Sequence, residues 1–139
     1  MAFNYFSEVK QFKFNKKRPT SNWLKQVITT HNKVPGVVSF IFCSDDQLLE
    51  INQTFLKHFY LTDVITFNYN SNNVISGDIY ISVDRISENA ANFNEPFEKE
   101  LHRVMVHGIL HLTGFKDKTA KEKANMREME NFHLNEFNY

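Results

Sequence analysis

His107 and His111 stand four residues apart in the stretch Val106-His107-Gly108-Ile109-Leu110-His111-Leu112-Thr113-Gly114-Phe115-Lys116-Asp117. On a helix of 3.6 residues per turn, positions i and i+4 share a face, so both imidazoles are presented to one point. Gly114 follows three residues after the second histidine and suits a left-handed helix cap, a turn that swings Asp117 back toward the same point. Two neutral imidazoles and one carboxylate make a three-ligand zinc set with a fourth position open, the pattern of a catalytic rather than a structural site. The bland alternative is a pair of core histidines satisfied by hydrogen bonds. Leu101, Val104, Met105, Val106, Ile109, Leu110 and Leu112 make this helix apolar nearly all round, so it is expected to be buried and its histidines need partners on either reading. Zinc proteases with this histidine spacing carry a glutamate directly after the first histidine as general base. Gly108 occupies that position here, which speaks against peptide hydrolysis.

The rest of the chain must hold that helix in place. Residues Phe3 to Ser7 read as a first strand, with Phe12 and Phe14 extending or following it. Pro19-Thr20-Ser21-Asn22 offers helix-start chemistry, and Trp23, Leu24, Val27 and Ile28 then recur at helical spacing until about Asn32. Pro35-Gly36 reads as a turn, and Val37 to Cys43 as a central strand, short, β-branched and apolar. Ser44-Asp45-Asp46 caps a second helix whose apolar members are Leu48, Leu49, Ile51, Phe55 and Leu56. Thr62 to Tyr69 and Val74 to Ser82 are two strands joined by the turn-rich residues 70–73. A polar helix follows from Val83 to Asn94, the histidine-bearing helix from about Phe97 to Leu112, and a last helix from Thr119 to Leu134 with Ala120, Ala124, Met126, Met129 and Phe132 as its apolar positions.

At 139 residues with 42% hydrophobic content, residues 1–139 are expected to fold as a single domain with a sizeable core. Composition by itself gives only mixed α and β. Lone Cys43 excludes an intrachain disulfide framework, and no apolar run is long enough to span a bilayer, nor does the amino terminus read as a secretion signal. A cytoplasmic protein without membrane contact is the expectation. The formal net charge of zero excludes wholesale electrostatic binding of nucleic acid and leaves local patches to do it. Lys10, Lys13, Lys16, Lys17 and Arg18, with Phe12 and Phe14 interleaved, form one such patch, readable as phosphate contacts with stacking aromatics or as a solvated edge.

The segment HGILHLTGFKD resembles HGxLHLxGYxH, the hallmark of the YbeY-type endoribonucleases, a bacterial metal-dependent family that takes part in ribosomal RNA maturation and ribosome quality control. Two further blocks agree in order and spacing: Asn52 through Leu61-Thr62-Asp63-Val64-Ile65-Thr66-Phe67 is similar to the family stretch ending PTDVLSF, and Gly77-Asp78-Ile79-Tyr80-Ile81-Ser82 to GDIxIS. The resemblance covers roughly residues 36–132. It implies an α+β fold, a small mixed sheet flanked by helices with the HxxxH helix buried beneath it. It also implies one zinc ion on His107, His111 and Asp117, and single-strand-specific hydrolysis of RNA at the 3′ end of 16S ribosomal RNA, with ribosomal particles as partners. Phe115 stands where the family has tyrosine and Asp117 where it has a third histidine, exchanging a neutral nitrogen for an anionic oxygen.

Leu56 stands where an arginine is usual, leaving Lys57 as the nearby cation, with His58 next. Lys57 and Arg103 are therefore the expected substrate-binding residues. Arg103 lies one turn before His107, where it would hold phosphate or else pair with a carboxylate such as Glu100. Asp63 and Asp78 are extra carboxylates whose ordinary role at strand starts is to bond backbone or face solvent. Two other functions fit the same residues: a metal-dependent hydrolase of another substrate, and a ribosome-binding module with a structural metal.

Overall fold

The computed structural model describes residues 3–57 and 62–137. Leu61, which opens the block ending at Phe67, His58, and the terminal Met1 and Ala2 lie outside them. The chain runs β1 (Phe3–Ser7), α1 (Lys17–Thr30), β2 (Val34–Cys43), α2 (Asp45–Leu56), β3 (Val64–Asn68), β4 (Val74–Ser82), α3 (Val83–Asn92), α4 (Phe97–Thr113) and α5 (Ala120–Glu136). One four-stranded sheet has the order β1-β2-β4-β3, with β2 parallel to both β1 and β4, and β3 antiparallel to β4. This is the α+β arrangement of a small mixed sheet with helices against it.

Alternation along the two central strands decides which face is dry. Val38, Phe40 and Phe42 of β2 and Ile75, Ile79 and Ile81 of β4 are all buried on the face covered by α1 and α4. A smaller cluster of Cys43, Leu48 and Ile65 closes part of the opposite face beneath α2. Among the described residues no helix is long and apolar enough to cross a membrane.

Several boundaries differ from the sequence expectation for physical reasons. Pro35 and Gly36 do not form a turn; they lie inside β2, where the register against β4 shifts between Pro35 and Val38. A Cβ on Gly36 would sit 2.7 Å from the Ile75 carbonyl oxygen, so the close approach of β4 explains the glycine. Helix α1 begins at Lys17 without a side-chain cap, two residues before Pro19. Phe12 and Phe14 extend no strand. Phe14 is buried and Phe12 packs on the core, so neither ring is free to stack a base, and Lys16 pairs with Glu98 at 2.7 Å.

Candidate metal centre

Helix α4 is the element on which the other layers converge, with α1, α3, α5, β3 and β4 all packed against it. From Glu100 to Leu112 every residue is buried except Arg103, His107 and His111, which recur every fourth position and form the single strip left open. Gly108 explains how the strip is set: a Cβ there would lie 3.0 Å from two side-chain carbons of Ile79, so the helix backbone rests directly on β4. A glutamate at 108 would thus point into the sheet rather than toward the histidines. The C-terminal end of α4 is pinned by Asn70, whose Nδ2 donates to the Leu112 carbonyl at 2.7 Å while its Oδ1 accepts from the Ser76 amide.

The helix stops as the sequence predicts. Gly114 adopts φ 115°, its amide donates to the His111 carbonyl, and the Phe115 amide donates to Leu110, a Schellman-type ending. Four residues after Phe115, Thr119 caps α5 reciprocally with Glu122, so Asp117 is held in a short link fixed at both ends. The link returns the carboxylate to the histidines: Asp117 Oδ2 lies 3.4 Å from His107 Nε2 and 3.3 Å from His111 Nε2.

One ligating atom from each of the three residues lies within 4.8 Å of the others. The edge of a tetrahedron with metal–ligand bonds near 2.0–2.1 Å is about 3.3–3.4 Å, which the two Asp117–histidine separations match, while the three atoms together lie within 4.8 Å. The donor set of two imidazoles and a carboxylate also fits. Side-chain exposures of 21% for His107, 29% for His111 and 36% for Asp117 leave the cluster reachable from outside, unlike a closed structural site.

The support of this cluster was not anticipated. Glu130 of α5 is buried and accepts a hydrogen bond from His107 Nδ1 at 2.7 Å, which leaves Nε2 as the lone-pair nitrogen facing Asp117 and His111. Burial pulls the His107 pKa down, but the Glu130 hydrogen bond and the charges of Glu130, Asp117 and Asp63 outweigh it, and the net shift is upward. Arg103 lies beside Glu130, with Nη1 3.3 Å from Glu130 Oε1 and 2.8 Å from Asn131 Oδ1; its Nε is 3.8 Å from Glu100. Glu130 escaped the sequence reading because only part of the expected apolar face of α5 turns inward: Met126 is buried and Met129 packs on the core, but the other three positions do not. Ala120 and Ala124 are exposed and Phe132 is 51% exposed, whereas Met126, Glu130, His133 and Leu134 point inward. The available signal was helical spacing: Met126, Glu130, His133, Leu134 and Phe137 form one face, disguised by two polar members.

A cavity of about 350 Å³ opens beside the cluster, lined among others by Asp63, Glu100, Arg103, His107, Asp117 and Glu130. Burial raises the carboxyl pKa of Asp63, with His107 partly opposing, and burial likewise raises that of Glu100. Arg103 thus lines the cavity while engaged with carboxylates. Lys57 is exposed, takes a left-handed φ of 56° as the C-cap of α2, and is not among the described residues lining the cavity. Asp78 pairs in register with Phe67 and Ser39, away from the cluster's ligand set.

The family model described as Endoribonuclease YbeY matches residues 4–138. An Endoribonuclease YbeY of Parabacteroides distasonis is 47% identical over 131 residues, 94% of this chain and 92% of that protein. Another, of Flavobacterium psychrophilum, is 46% identical over 137 residues, covering 99% and 96%. The solution structure of TM1509 from Thermotoga maritima superposes with a TM-score of 0.68 at 30% identity, covering 97% of this chain and 88% of that one.

Proposed function

The chain belongs to the Endoribonuclease YbeY family, and from that premise and the geometry of the cluster we propose that it is a zinc-dependent endoribonuclease specific for single strands. We assign it to maturation of the 3′ end of small-subunit ribosomal RNA and to late ribosome quality control, in the cytoplasm. The observation that carries the reading is the partly exposed three-residue cluster beside a cavity lined by both carboxylates and cations. His107, His111 and Asp117 would hold the ion, and a zinc ion in that place would supply Lewis-acid chemistry toward a phosphodiester.

The protein's own groups do the remaining work. Glu130 fixes the tautomer and ring plane of His107, and Arg103 holds Glu130 against it. Arg103 also places its guanidinium at the cavity wall, where charge on a phosphodiester would build up during hydrolysis. Lys57 contacts the RNA backbone outside the cavity. Asp63 and Glu100, whose carboxyls are shifted upward by burial, take up a proton nearer neutral pH than exposed carboxylates do.

The test compares cleavage of a single-stranded RNA, its duplex form and casein by protein that has been chelated and then resupplied with zinc. Zinc-restored cleavage confined to single-stranded RNA is expected. Cleavage of casein would instead establish a hydrolase of another substrate, and a zinc-bound protein inert on all three would be a binding module.

A further inference from the structure

Among the side chains lining the cavity beside the cluster, Phe93, Lys123 and Arg127 are outside the candidate ligand set. Phe93, the C-cap of α3, lines the cavity yet is 56% exposed. Lys123 and Arg127 line it from α5. A single exposed phenylalanine is ordinary on a protein surface. Here, however, it borders a cavity lined by several charged side chains next to a candidate metal centre and shares that cavity with two cations from another element. Arg127 is loosely held: its side chain is 52% exposed, and its ion-pair contact is 3.7 Å from a Glu130 oxygen that Arg103 already approaches at 3.3 Å.

The charge balance of the cavity depends on the ion. The four carboxylates of Asp63, Glu100, Asp117 and Glu130 formally outnumber the cations Arg103, Lys123 and Arg127. A divalent ion on the cluster reverses that balance, so an anionic ligand is attracted to the loaded site and not to the empty one. A volume of about 350 Å³ is at the small end of ligand pockets, which run from roughly 300 to 1,000 Å³. A base can reach an aromatic ring there only when it is unstacked from its neighbours, as in single-stranded RNA.

We propose that this cavity is a nucleotide subsite in which Phe93 stacks a base of the RNA and Arg127, aided by Lys123, holds the adjoining phosphate beside the metal cluster. The assignment rests on the ribonuclease reading. It also supplies from α5 the guanidinium fork that Leu56 does not provide at the end of α2.

The experiment measures binding of a fluorescently labelled single-stranded RNA oligonucleotide to the zinc-loaded full chain across a salt series. Phe93→Ala is expected to weaken binding about tenfold with an unchanged salt slope, because stacking rather than charge is lost. Phe93→Trp is expected to retain affinity and to show quenched indole fluorescence on adding RNA. Arg127→Ala is expected to make the slope of log affinity against log salt shallower by about 0.7, the value for one phosphate contact on a single strand. Zinc content and thermal midpoint equal to those of the parent protein establish that the variants are folded and loaded. Parent protein that binds RNA, with both alanine variants matching it in affinity and slope, would overturn the subsite and leave the ribonuclease reading standing. Loaded parent protein that neither binds nor cleaves the oligonucleotide would overturn both.

Discussion

His107 faces the cluster with Nε2 because its Nδ1 hydrogen is held by Glu130, and Glu130 is in turn held by Arg103. Removing the carboxylate charge should therefore loosen the ligand without removing it. Glu130→Gln is expected to lower zinc affinity by about 10- to 100-fold, the range for outer-shell partners of a metal-bound histidine, as measured by competition with a chromophoric chelator. Unaltered affinity would show that Glu130 does not orient His107. The same contacts give affinity a pH dependence of known sign. With its pKa raised, metal-free His107 keeps its proton to higher pH than an ordinary histidine, and the ion must displace it, so affinity falls as pH falls through that range. Glu130→Gln removes the main upward influence and should make that fall shallower. Of these residues, His107, His111 and Asp117 were legible because spacing on a helix and a glycine turn are local geometry. Glu130 was not, since the meeting of α4 and α5 is tertiary and a glutamate in a charged helix reads as solvated.

Helices α1, α4 and α5 share a second buried polar site, centred on His102. Its ring is fully buried, Nε2 lies 3.2 Å from Thr20 Oγ1, and Trp23 and Phe137 pack against it. Burial lowers its pKa to about 4 from the ordinary 6.5. A depressed histidine pKa means the unfolded chain binds the proton first. The associated stability is complete above pH 6.5 and is lost as pH falls toward about 4, by up to roughly 3 kcal/mol. His102→Gln, which can still reach Thr20, is expected to flatten the pH dependence of the urea midpoint in that window relative to the parent chain. A parallel fall in both proteins would contradict the assignment. At this scale the sequence revealed the elements better than their edges or faces. The order of the nine elements among the described residues and the Ser44 cap follow from local chemistry. The bulge at Pro35–Gly36 depends on how closely β4 approaches, and the inward face of α5 on two polar groups that find partners only across the fold.

The molecule as a whole places one buried helix between a sheet and three other helices and opens it along the strip Arg103, His107 and His111. With no net charge over the chain, attraction of RNA has to be local, and the cavity beside the cluster is where cations would combine with an ion on the triad. Because the candidate ligands come from α4 and from the link to α5, an ion held there would join two elements and add to folding stability, by about 2.7 kcal/mol when a free metal is a hundredfold above its dissociation constant. The resemblance to a known family was legible in three sequence blocks, whereas the cavity was not, because its walls come from residues far apart in the chain. The most direct measurement titrates zinc into chelated protein while following cleavage of a single-stranded RNA. The rate should rise linearly and break at one equivalent in the parent chain and stay at background throughout in His111→Ala. Cleavage that persists in the chelated protein, or that rises without a break in both proteins, would contradict a single catalytic ion on His107, His111 and Asp117.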